Sequence, residues 1–235
     1  MVKFSIVIPI LNEEKNIIKL TDLLKKKITN KTEYEIIFVD DNSKDKSQIL
    51  IKKLSQQNKK IKFIFRKNKN RDLSRSCFEG IEKAAYPYIL IMDGDLQHNP
   101  KYITKMVNLL YKKKLDVVVG SRDFSKINHD KSLSSVRLYA SILIKSFIHF
   151  FLGFKTNDPL SGFFCFKKKI IYKKKLFGKG YKILADILYS SNNLKVSDVT
   201  IKFDHRKKGK SKMSIKVLLL ILLFITSKFI NKIIS

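Results

Sequence analysis

Short apolar runs alternate with longer stretches of helical period through the first half of the chain. The apolar runs are compact and rich in β-branched or aromatic residues, which is typical of buried strands; they are Phe4–Leu11, Tyr34–Val39, Ile61–Phe65, Tyr88–Met92 and Leu115–Val119. The stretches between them predict helices at Glu14–Ile28, Asp45–Gln57, Leu73–Ala85 and Pro100–Lys113. This alternation predicts an α/β fold with a mostly parallel central sheet and helices on both faces. Ligands are then expected at the carboxyl ends of the strands.

The second half of the chain has a different pattern. A polar stretch, Ser125–Ser132, precedes a helical segment, Ser134–Leu152, that is apolar nearly all round from Ile142 onward. Beyond a break at Asn157-Asp158-Pro159, the pattern predicts a strand, a helix and a strand, at Gly162–Phe166, Tyr181–Ser190 and Val196–Phe203. Because no repeat or low-complexity linker separates the halves, we expect one domain over residues 1–212, with halves at 1–124 and 125–212.

The charge balance narrows the classes of partner. The chain has 49 Lys and Arg against 20 Asp and Glu, a formal net charge of +29, while 44% hydrophobic residues exclude a disordered chain. Such a charge indicates an anionic partner, for which nucleic acid, an anionic membrane face and phosphorylated substrates all stay open. A nucleic-acid groove would interleave basic and aromatic residues. The lysines here are scattered over many segments, so we expect no nucleic-acid partner.

The cysteines and the first residues bear on the compartment. Cys77 and Cys165 lie far apart and outside any CxxC cluster, so neither a disulfide framework nor a zinc site is predicted, which favours a reducing compartment. The first apolar run passes directly into Asn12-Glu13-Glu14 without a small-residue cleavage site. We therefore expect it to be a strand rather than a secretory signal.

Acidic clusters follow three of the predicted strands. They are Asn12-Glu13, Asp40-Asp41 and Asp93-Gly94-Asp95-Leu96-Gln97. Each could cap the next helix, but in a parallel sheet all three would converge at one edge. Mg²⁺ typically takes one or two carboxylates plus substrate phosphate oxygens, and Mn²⁺ would suit the same ligands. Since the chain has neither GxGxxG nor GxxxxGK, a cation and basic side chains would have to bind phosphate.

A second group suits a phosphate. Arg137 and Ser141 are four residues apart and so share one helix face. The planar fork of arginine fits phosphate, and Arg122 could converge on the same ligand from the preceding loop. The alternative is that these are ordinary solvated arginines.

Six segments in order along the chain together resemble family 2 glycosyltransferases, and within them the polyprenyl-phosphate sugar transferases typified by dolichol-phosphate mannosyltransferase. They are Val7–Glu13, Val39–Ser43, Met92–His98, Gly120–Arg122, Asp158–Phe164 and Arg206–Lys212. The resemblance implies a GT-A fold and inverting transfer of a hexose, mannose by preference, from a nucleotide diphosphate sugar to a polyprenyl phosphate. It implies a nucleotide-sugar and metal half at 1–124 and an acceptor half at 125–212.

The resemblance also implies roles for single residues. The nucleotide-sugar set comprises Pro9, Leu11, Glu13, Val39, Asp41, Asp93, Gly94, Asp95, Gln97, Arg206 and Lys212; within it Asp93, Asp95 and Gln97 would hold Mg²⁺ or Mn²⁺. Arg122, Arg137 and Ser141 would hold the acceptor phosphate, and Asp95, Arg122 and Arg206 would carry the transfer. Leu11 replaces a usual aromatic residue, and Asp72-Leu73-Ser74 replaces a usual glycine-led turn. The donor therefore stays open between GDP-mannose and a UDP-hexose.

The acceptor decides whether a base is needed. A phosphate monoester is largely dianionic at neutral pH and can attack the sugar without one. A hydroxyl acceptor, on a glycan for example, would need a base, for which Asp186 is the candidate.

The last 20 residues are apolar but interrupted by charge. Ile215–Ile234 includes Lys216, Lys228 and Lys232, and its longest apolar run, Val217–Thr226, favours an interfacial or packed helix over a span. We expect a membrane-interfacial helix over 213–235, with a packed core or oligomer contact, or a short re-entrant or spanning element, as the alternatives. The expected location is the anionic cytoplasmic face of a membrane, where the chain is peripheral or weakly anchored; the oligomeric state stays open.

Overall fold

The structure, a computed structural model, describes residues 2–28, 32–67, 70–122, 135–171, 183–190, 193–202, 223 and 225–229, with the side chains of 135–141 left aside. The strands are β1 (Lys3–Ile10), β2 (Glu33–Asp40), β3 (Ile61–Phe65), β4 (Tyr88–Ile91), β5 (Val117–Arg122), β6 (Phe164–Lys167) and β7 (Val196–Ile201). The helices are α1 (Glu14–Lys27), α2 (Ser47–Gln57), α3 (Leu73–Lys83), α4 (Ile103–Lys112), α5 (Ser135–Leu152) and α6 (Ile183–Tyr189), with 3₁₀ turns at Pro100–Tyr102 and Lys168–Ile171. Residues 223 and 225–229 are also helical.

The strands form a single sheet in the order β3-β2-β1-β4-β6-β5-β7. Strands β1 to β4 pair in parallel, and β5 pairs in parallel with β7. Only β6 runs the other way among the described strands, antiparallel to both β4 and β5. The predicted mostly parallel α/β sheet is confirmed, with one reversed strand at its centre.

Both faces of the sheet are covered, which is why its central strands are apolar at consecutive positions. Alternate side chains of β1 enter different cores: Ile6 and Ile8 pack with α1 and α4, whereas Val7 packs with α3 and α6. Leu20 and Leu24 of α1 are fully buried in the first core. Burying a side chain of this size contributes roughly 1.5–3 kcal/mol, so each of these two leucines helps to hold α1 against the sheet.

Several element boundaries differ by a few residues from the sequence prediction, and two of these differences bear on the site. Strand β5 was expected at Leu115–Val119 but runs from Val117 to Arg122, because Gly120, Ser121 and Arg122 continue its pairing with β7. This polar extension carries Arg122 to the carboxyl edge of the sheet. Helix α2 begins at Ser47, whose backbone N–H donates to Asp45 Oδ1 at 3.0 Å.

A third apolar cluster joins α5, α6 and the final helical residues. Ile144, Ile148 and Leu152 of α5 pack with Ala185 of α6 and with Ile225. Ile225 is buried, whereas Leu223 is exposed. Within the part of the chain that the structure covers, no helix is both long enough and apolar enough to cross a bilayer.

Candidate active site

The loops that follow β1 and β2 are fastened to each other. The backbone N–H of Asp41 donates to the carbonyl of Ile10 at 2.8 Å, and that of Asn12 donates to Ser43 Oγ at 2.8 Å. From the other side, the N–H of Lys44 donates to Asn12 Oδ1 at 2.8 Å. The first two acidic clusters therefore lie side by side, as the parallel pairing of β1 with β2 predicts.

The third cluster joins them from β4. The N–H of Met92 donates to the carbonyl of Val7 at 3.2 Å, which continues the pairing of β4 with β1. A Cβ built on Gly94 would lie 3.7 Å from Ile8 Cγ2 and 3.8 Å from Glu13 Cγ. All three clusters thus meet at one edge of the sheet.

The backbone of these loops adopts left-handed conformations. Of the four described non-glycine residues with positive φ, three are Asn12 (54°), Asn42 (62°) and Leu96 (65°), one in each loop. Asparagine tolerates this region, but leucine does not adopt it readily. A strain of about 1–3 kcal/mol at Leu96, between Asp95 and Gln97, is typical of a functional site.

Asp41 is held at both of its carboxylate oxygens. Oδ1 accepts from Arg66 Nη1, and Oδ2 accepts from the backbone N–H of Asp72 at 2.8 Å. Arg66 is buried, and its Nε donates to Glu79 Oε1 at 3.0 Å. Burial raises the pKa of Asp41, and the nearby Arg66 only partly opposes this rise. Asp41 therefore has a fixed orientation at the edge of the sheet.

Arg66 is a residue that sequence reasoning missed. It follows β3 directly, so it occupies the same kind of position as the acidic clusters. A search for any charged residue at a strand end would have found it. Asp72, which departs from the family pattern, accepts from the N–H of Arg75 at 3.0 Å and so caps α3.

Asp93 and Asp95 differ in exposure. The side chain of Asp93 is 38% exposed, whereas Asp95 is buried and its Oδ1 accepts from the N–H of Gln97 at 3.1 Å. No group of three or more His, Cys, Asp or Glu suited to a metal occurs among the described residues. Two carboxylates, with a carbonyl oxygen from Gln97, nevertheless fit a hard divalent cation whose other ligands come from a substrate diphosphate.

Gly162 lies directly against Asp93. A Cβ at Gly162 would lie 2.5 Å from Asp93 Oδ2, 3.1 Å from its Cγ and 3.2 Å from its Oδ1. Only glycine leaves room for the carboxylate in this position. The segment before β6 therefore forms one wall of the site that Asp93 and Asp95 make, which we call the carboxylate site. It does so because β6 runs antiparallel and its amino end lies at this edge of the sheet.

Arg122 is paired with Asp158 in a two-point contact. Arg122 Nε donates to Asp158 Oδ2 at 2.6 Å, and Nη2 donates to Oδ1 at 3.0 Å. Burial opposes the charge of Arg122, but Asp158, with a contribution from Asp93, raises its pKa above the usual value. The guanidinium is therefore charged and fixed near the carboxylate site.

His98 packs beneath this site. Its ring stacks on Phe163, with centroids 5.2 Å apart, and its Nδ1 lies 3.8 Å from Asp93 Oδ2. Burial lowers its pKa to about 4, so the ring is neutral at pH 7. This histidine has no metal-ligand spacing in the sequence, and its stacking on Phe163 places it beneath the carboxylates.

The other residues of the predicted site have varied positions. Pro9 and Val39 are buried neighbours in the β1–β2 register, and Leu11 is partly exposed. Glu13 is buried, and its Oε2 accepts from Asn16 Nδ2 at 2.7 Å. Arg137 and Ser141 lie one turn apart in α5, with side chains outside the described part; Arg206 and Lys212 lie outside the described residues altogether.

Asp186, the candidate base for a hydroxyl acceptor, is buried in an ion pair. Its Oδ1 lies 2.9 Å from Lys228 Nζ and accepts from Ser190 Oγ at 3.2 Å. Lys228 Nζ also donates to Ser190 Oγ. This arrangement binds the carboxylate between α6 and the final helical residues, where it stabilises packing.

We predict that Lys228→Ala destabilises the fold by about 3–5 kcal/mol, because it leaves the Asp186 carboxylate buried without its cation. Urea unfolding followed by circular dichroism would measure this. Removing both charges in Asp186→Leu/Lys228→Met should restore most of the stability, and Lys3→Ala, at the exposed pair with Glu33, should change little. A Lys228→Ala variant as stable as the parent would contradict the role of the pair.

Comparisons with known proteins agree with this geometry. The sequence model of the family described as glycosyl transferase family 2 matches residues 5–177. The dolichol-phosphate mannosyltransferase of Pyrococcus furiosus is 30% identical over 222 residues, which cover 92% of this chain and 60% of that protein. The Saccharomyces cerevisiae dolichol-phosphate mannosyltransferase is 29% identical over 230 residues, 93% of this chain and 84% of that protein. The chain thus spans only three fifths of the Pyrococcus relative.

A solved structure gives the same fold at lower identity. Glucosyl-3-phosphoglycerate synthase from Mycobacterium tuberculosis, in complex with Mn²⁺, UDP-glucose and phosphoglyceric acid, superposes with a TM-score of 0.70 at 16% identity, over 98% of this chain and 79% of that one. The architecture is the GT-A fold. With the family match over most of its length and the three acidic loops at one sheet edge, this chain belongs to glycosyl transferase family 2.

Proposed function

We propose that the chain transfers a hexose, mannose by preference, from a nucleotide diphosphate sugar to a polyprenyl phosphate, with inversion at the anomeric carbon. One observation carries this proposal: the paired carboxylates Asp93 and Asp95 share an edge with a guanidinium, Arg122, that Asp158 holds in place. The named relatives support the choice of sugar and acceptor. On this proposal, residues 1–124 serve the donor and residues 125–212 serve the acceptor.

The donor side needs a cation and a fixed nucleobase contact. We assign Asp93, Asp95 and Gln97 to Mg²⁺ or Mn²⁺, which would neutralise the negative charge that the leaving diphosphate gains. Mn²⁺ accompanies UDP-glucose in the solved synthase, which supports a divalent cation here. Asp41, with Pro9, Leu11, Glu13 and Val39, would contact the nucleoside, and Gly94, Arg206 and Lys212 the phosphates.

The acceptor side needs positive charge rather than a base. A phosphate monoester dianion is already a nucleophile at neutral pH, so the chain has to position it and offset its charge. Arg122 supplies a fixed cation, and we assign Arg137 and Ser141 of α5 to the same phosphate. The burial of Asp186 against Lys228 supports this acceptor over a hydroxyl, because it leaves that carboxylate engaged.

A transfer assay tests the proposal directly. GDP-mannose and UDP-glucose would each be incubated with Mn²⁺ or Mg²⁺ and with farnesyl phosphate, dolichyl phosphate or phosphoglyceric acid. We expect a mannosyl phosphoryl lipid from GDP-mannose, and none in the presence of EDTA. Transfer to phosphoglyceric acid with no lipid product would overturn the proposed acceptor.

A lipid acceptor also requires contact with a membrane, and α5 offers an exposed apolar stripe. Leu143 (59% exposed), Phe147 (48%) and Phe150 (83%) recur every three or four residues, so they share one face of α5. Phe154, which follows the end of the helix, is 66% exposed. Ile144 and Ile148 on the other face are buried in the third cluster. We propose that this stripe lies in the interface of an anionic membrane, at its cytoplasmic face, where the net charge of +29 adds attraction.

We predict that Phe150→Asp weakens binding to phosphatidylcholine vesicles with 30% phosphatidylglycerol about 10-fold. The change removes an aromatic side chain that would enter the membrane and adds a negative charge that anionic lipid repels. Vesicle co-sedimentation would measure this. Ile49→Asp is the matched control, since Ile49 of α2 is 69% exposed on another helix. Equal weakening by both variants would contradict a membrane-facing role for the stripe.

A further inference from the structure

The loop between α5 and β6 is fastened to β7 by one carboxylate. Asp198 Oδ1 accepts from the hydroxyls of Ser121 and Thr156. Asp198 Oδ2 accepts from the backbone N–H and the side-chain Nδ2 of Asn157, each at 3.2 Å. Four hydrogen bonds thus converge on a single residue, and three of them come from the loop.

The same loop ends at the partner of Arg122. Asp158 follows Asn157 directly, is buried, and binds Arg122 through both carboxylate oxygens. The N–H of Asp158 also donates to Thr156 Oγ1 at 3.4 Å. The position of Asp158, and with it that of the guanidinium, therefore depends on how Thr156 and Asn157 are held.

The start of the loop has its own anchors. Tyr189 Oη donates to the carbonyl of Gly153 at 2.7 Å, and Lys155 Nζ donates to the carbonyl of Leu188 at 2.8 Å. These contacts secure residues 153–155 on α6. Beyond residue 155, Asp198 of β7 holds Thr156 and Asn157, the two residues directly before Asp158. Farther along the loop, Ser161 Oγ donates to the carbonyl of Gly120 of β5 at 2.7 Å.

We propose that Asp198 is a positioning residue that orients Arg122 toward the acceptor phosphate through Thr156, Asn157 and Asp158. The inference rests on the proposed function, because it takes Arg122 to contact the acceptor. Asp198 pairs with Val119 in the β5–β7 register, and Val119 is three residues before Arg122. Asp198 therefore acts through the loop rather than on the substrate.

The orientation of Arg122 can be measured without substrate, from the solvent exchange of its Nε–H proton. The chain has six arginines, so its Nε–Hε signals in a ¹⁵N-resolved NMR spectrum are few, and Arg122→Lys identifies one of them. The hydrogen bond to Asp158 should protect this proton from exchange with solvent. We expect Asp198→Ala, and the isosteric Thr156→Val, to speed its exchange by about 10-fold or more.

Steady-state kinetics with GDP-mannose and farnesyl phosphate supply the second readout. We expect Asp198→Ala to raise the KM for farnesyl phosphate about 10-fold and to leave the KM for GDP-mannose within about twofold. Asp198→Asn keeps an acceptor oxygen for the two hydroxyls and should lose less. If Asp198 acts through Arg122, then Asp198→Ala/Arg122→Ala should be no worse than Arg122→Ala alone.

Asp116→Ala is the matched control. Asp116 lies just before β5, at the opposite edge of the sheet, and accepts from Lys167 Nζ at 2.9 Å and from the N–H of Lys195 at 3.0 Å. It therefore ties the same region together without approaching Arg122. We expect this variant to lower thermal stability while it leaves Arg122 exchange and both KM values unchanged.

The outcomes separate this inference from the proposed function. Unchanged Arg122 exchange in both Asp198→Ala and Thr156→Val would overturn the positioning role, whatever the kinetics. Faster exchange with an unchanged KM for farnesyl phosphate would overturn the link to the acceptor. If the parent chain glycosylates no lipid phosphate, the proposed function fails, and the exchange measurement still decides whether Asp198 orients Arg122.

Discussion

An Asp95→Ala variant is expected to lose about 10³-fold or more of its transfer rate while it stays folded. Asp95 is buried beside the strained Leu96, and its carboxylate is one of two at the edge where the donor diphosphate would bind. Alanine removes the oxygen that would hold the cation and adds no atoms. Initial rates at saturating Mn²⁺ and GDP-mannose would measure the loss.

Two controls accompany this variant. Thermal unfolding should change by only a few degrees, because alanine removes the acceptor of a short local hydrogen bond from the N–H of Gln97 and leaves the buried strands intact. Asp22→Ala, on the exposed face of α1, removes a carboxylate far from the site and should keep the full rate. Full activity in Asp95→Ala would refute the assignment of the cation to this residue.

A Gly162→Ala variant is expected to lose about 10²-fold or more of kcat/KM although it adds a single methyl group. Each of the three nearest atoms to the new Cβ belongs to the Asp93 carboxylate, the closest at 2.5 Å. Asp93 is partly exposed and can rotate away, so the fold should survive while the carboxylate leaves its place. Mn²⁺ titration in the presence of GDP, together with initial rates, would measure both effects.

Gly94→Ala is the informative comparison for this variant. A Cβ at Gly94 would meet its nearest neighbours at 3.7 to 3.8 Å, which is ordinary van der Waals contact. We expect this variant to keep the Mn²⁺ affinity of the parent, whatever its effect on the phosphate contact proposed for Gly94. Equal losses of Mn²⁺ affinity from both glycine substitutions would show that the crowding at Gly162 is not the cause.

The strands and their order along the chain were predictable because each strand is a short apolar run, which is a local property of the sequence. The run Ile61–Phe65 coincides with β3, although it was expected to be buried and only Ile61 is, because β3 is an edge strand. The mainly apolar character of β1 and β2 reflects cover on both faces. The end of β5 was not predictable from this signal. Gly120, Ser121 and Arg122 are polar or small, and only their pairing with β7 makes them a strand.

The position of the acidic residues was also predictable, since the carboxyl ends of parallel strands lie at the same edge of a sheet. What sequence reasoning missed are contacts between residues far apart in the chain. Arg66 holds Asp41 across 25 positions, and Lys228 holds Asp186 across 42. Neither periodicity nor spacing encodes such a pair, because each partner alone resembles a solvated charge. The fold reveals these pairs by burying both members.

The reversed strand β6 also sets the time at which the carboxylate site becomes complete during synthesis. β4 ends at Ile91, and its neighbour β6 begins only at Phe164. At ~5–20 residues per second, the ribosome needs on the order of 4–15 s to cover that distance. Throughout this interval β4 has β1 on one side and no neighbouring strand on the other, and Asp93 lacks the wall that Gly162 provides. The nascent chain therefore holds an aggregation-prone strand and an unfinished site until its second half emerges.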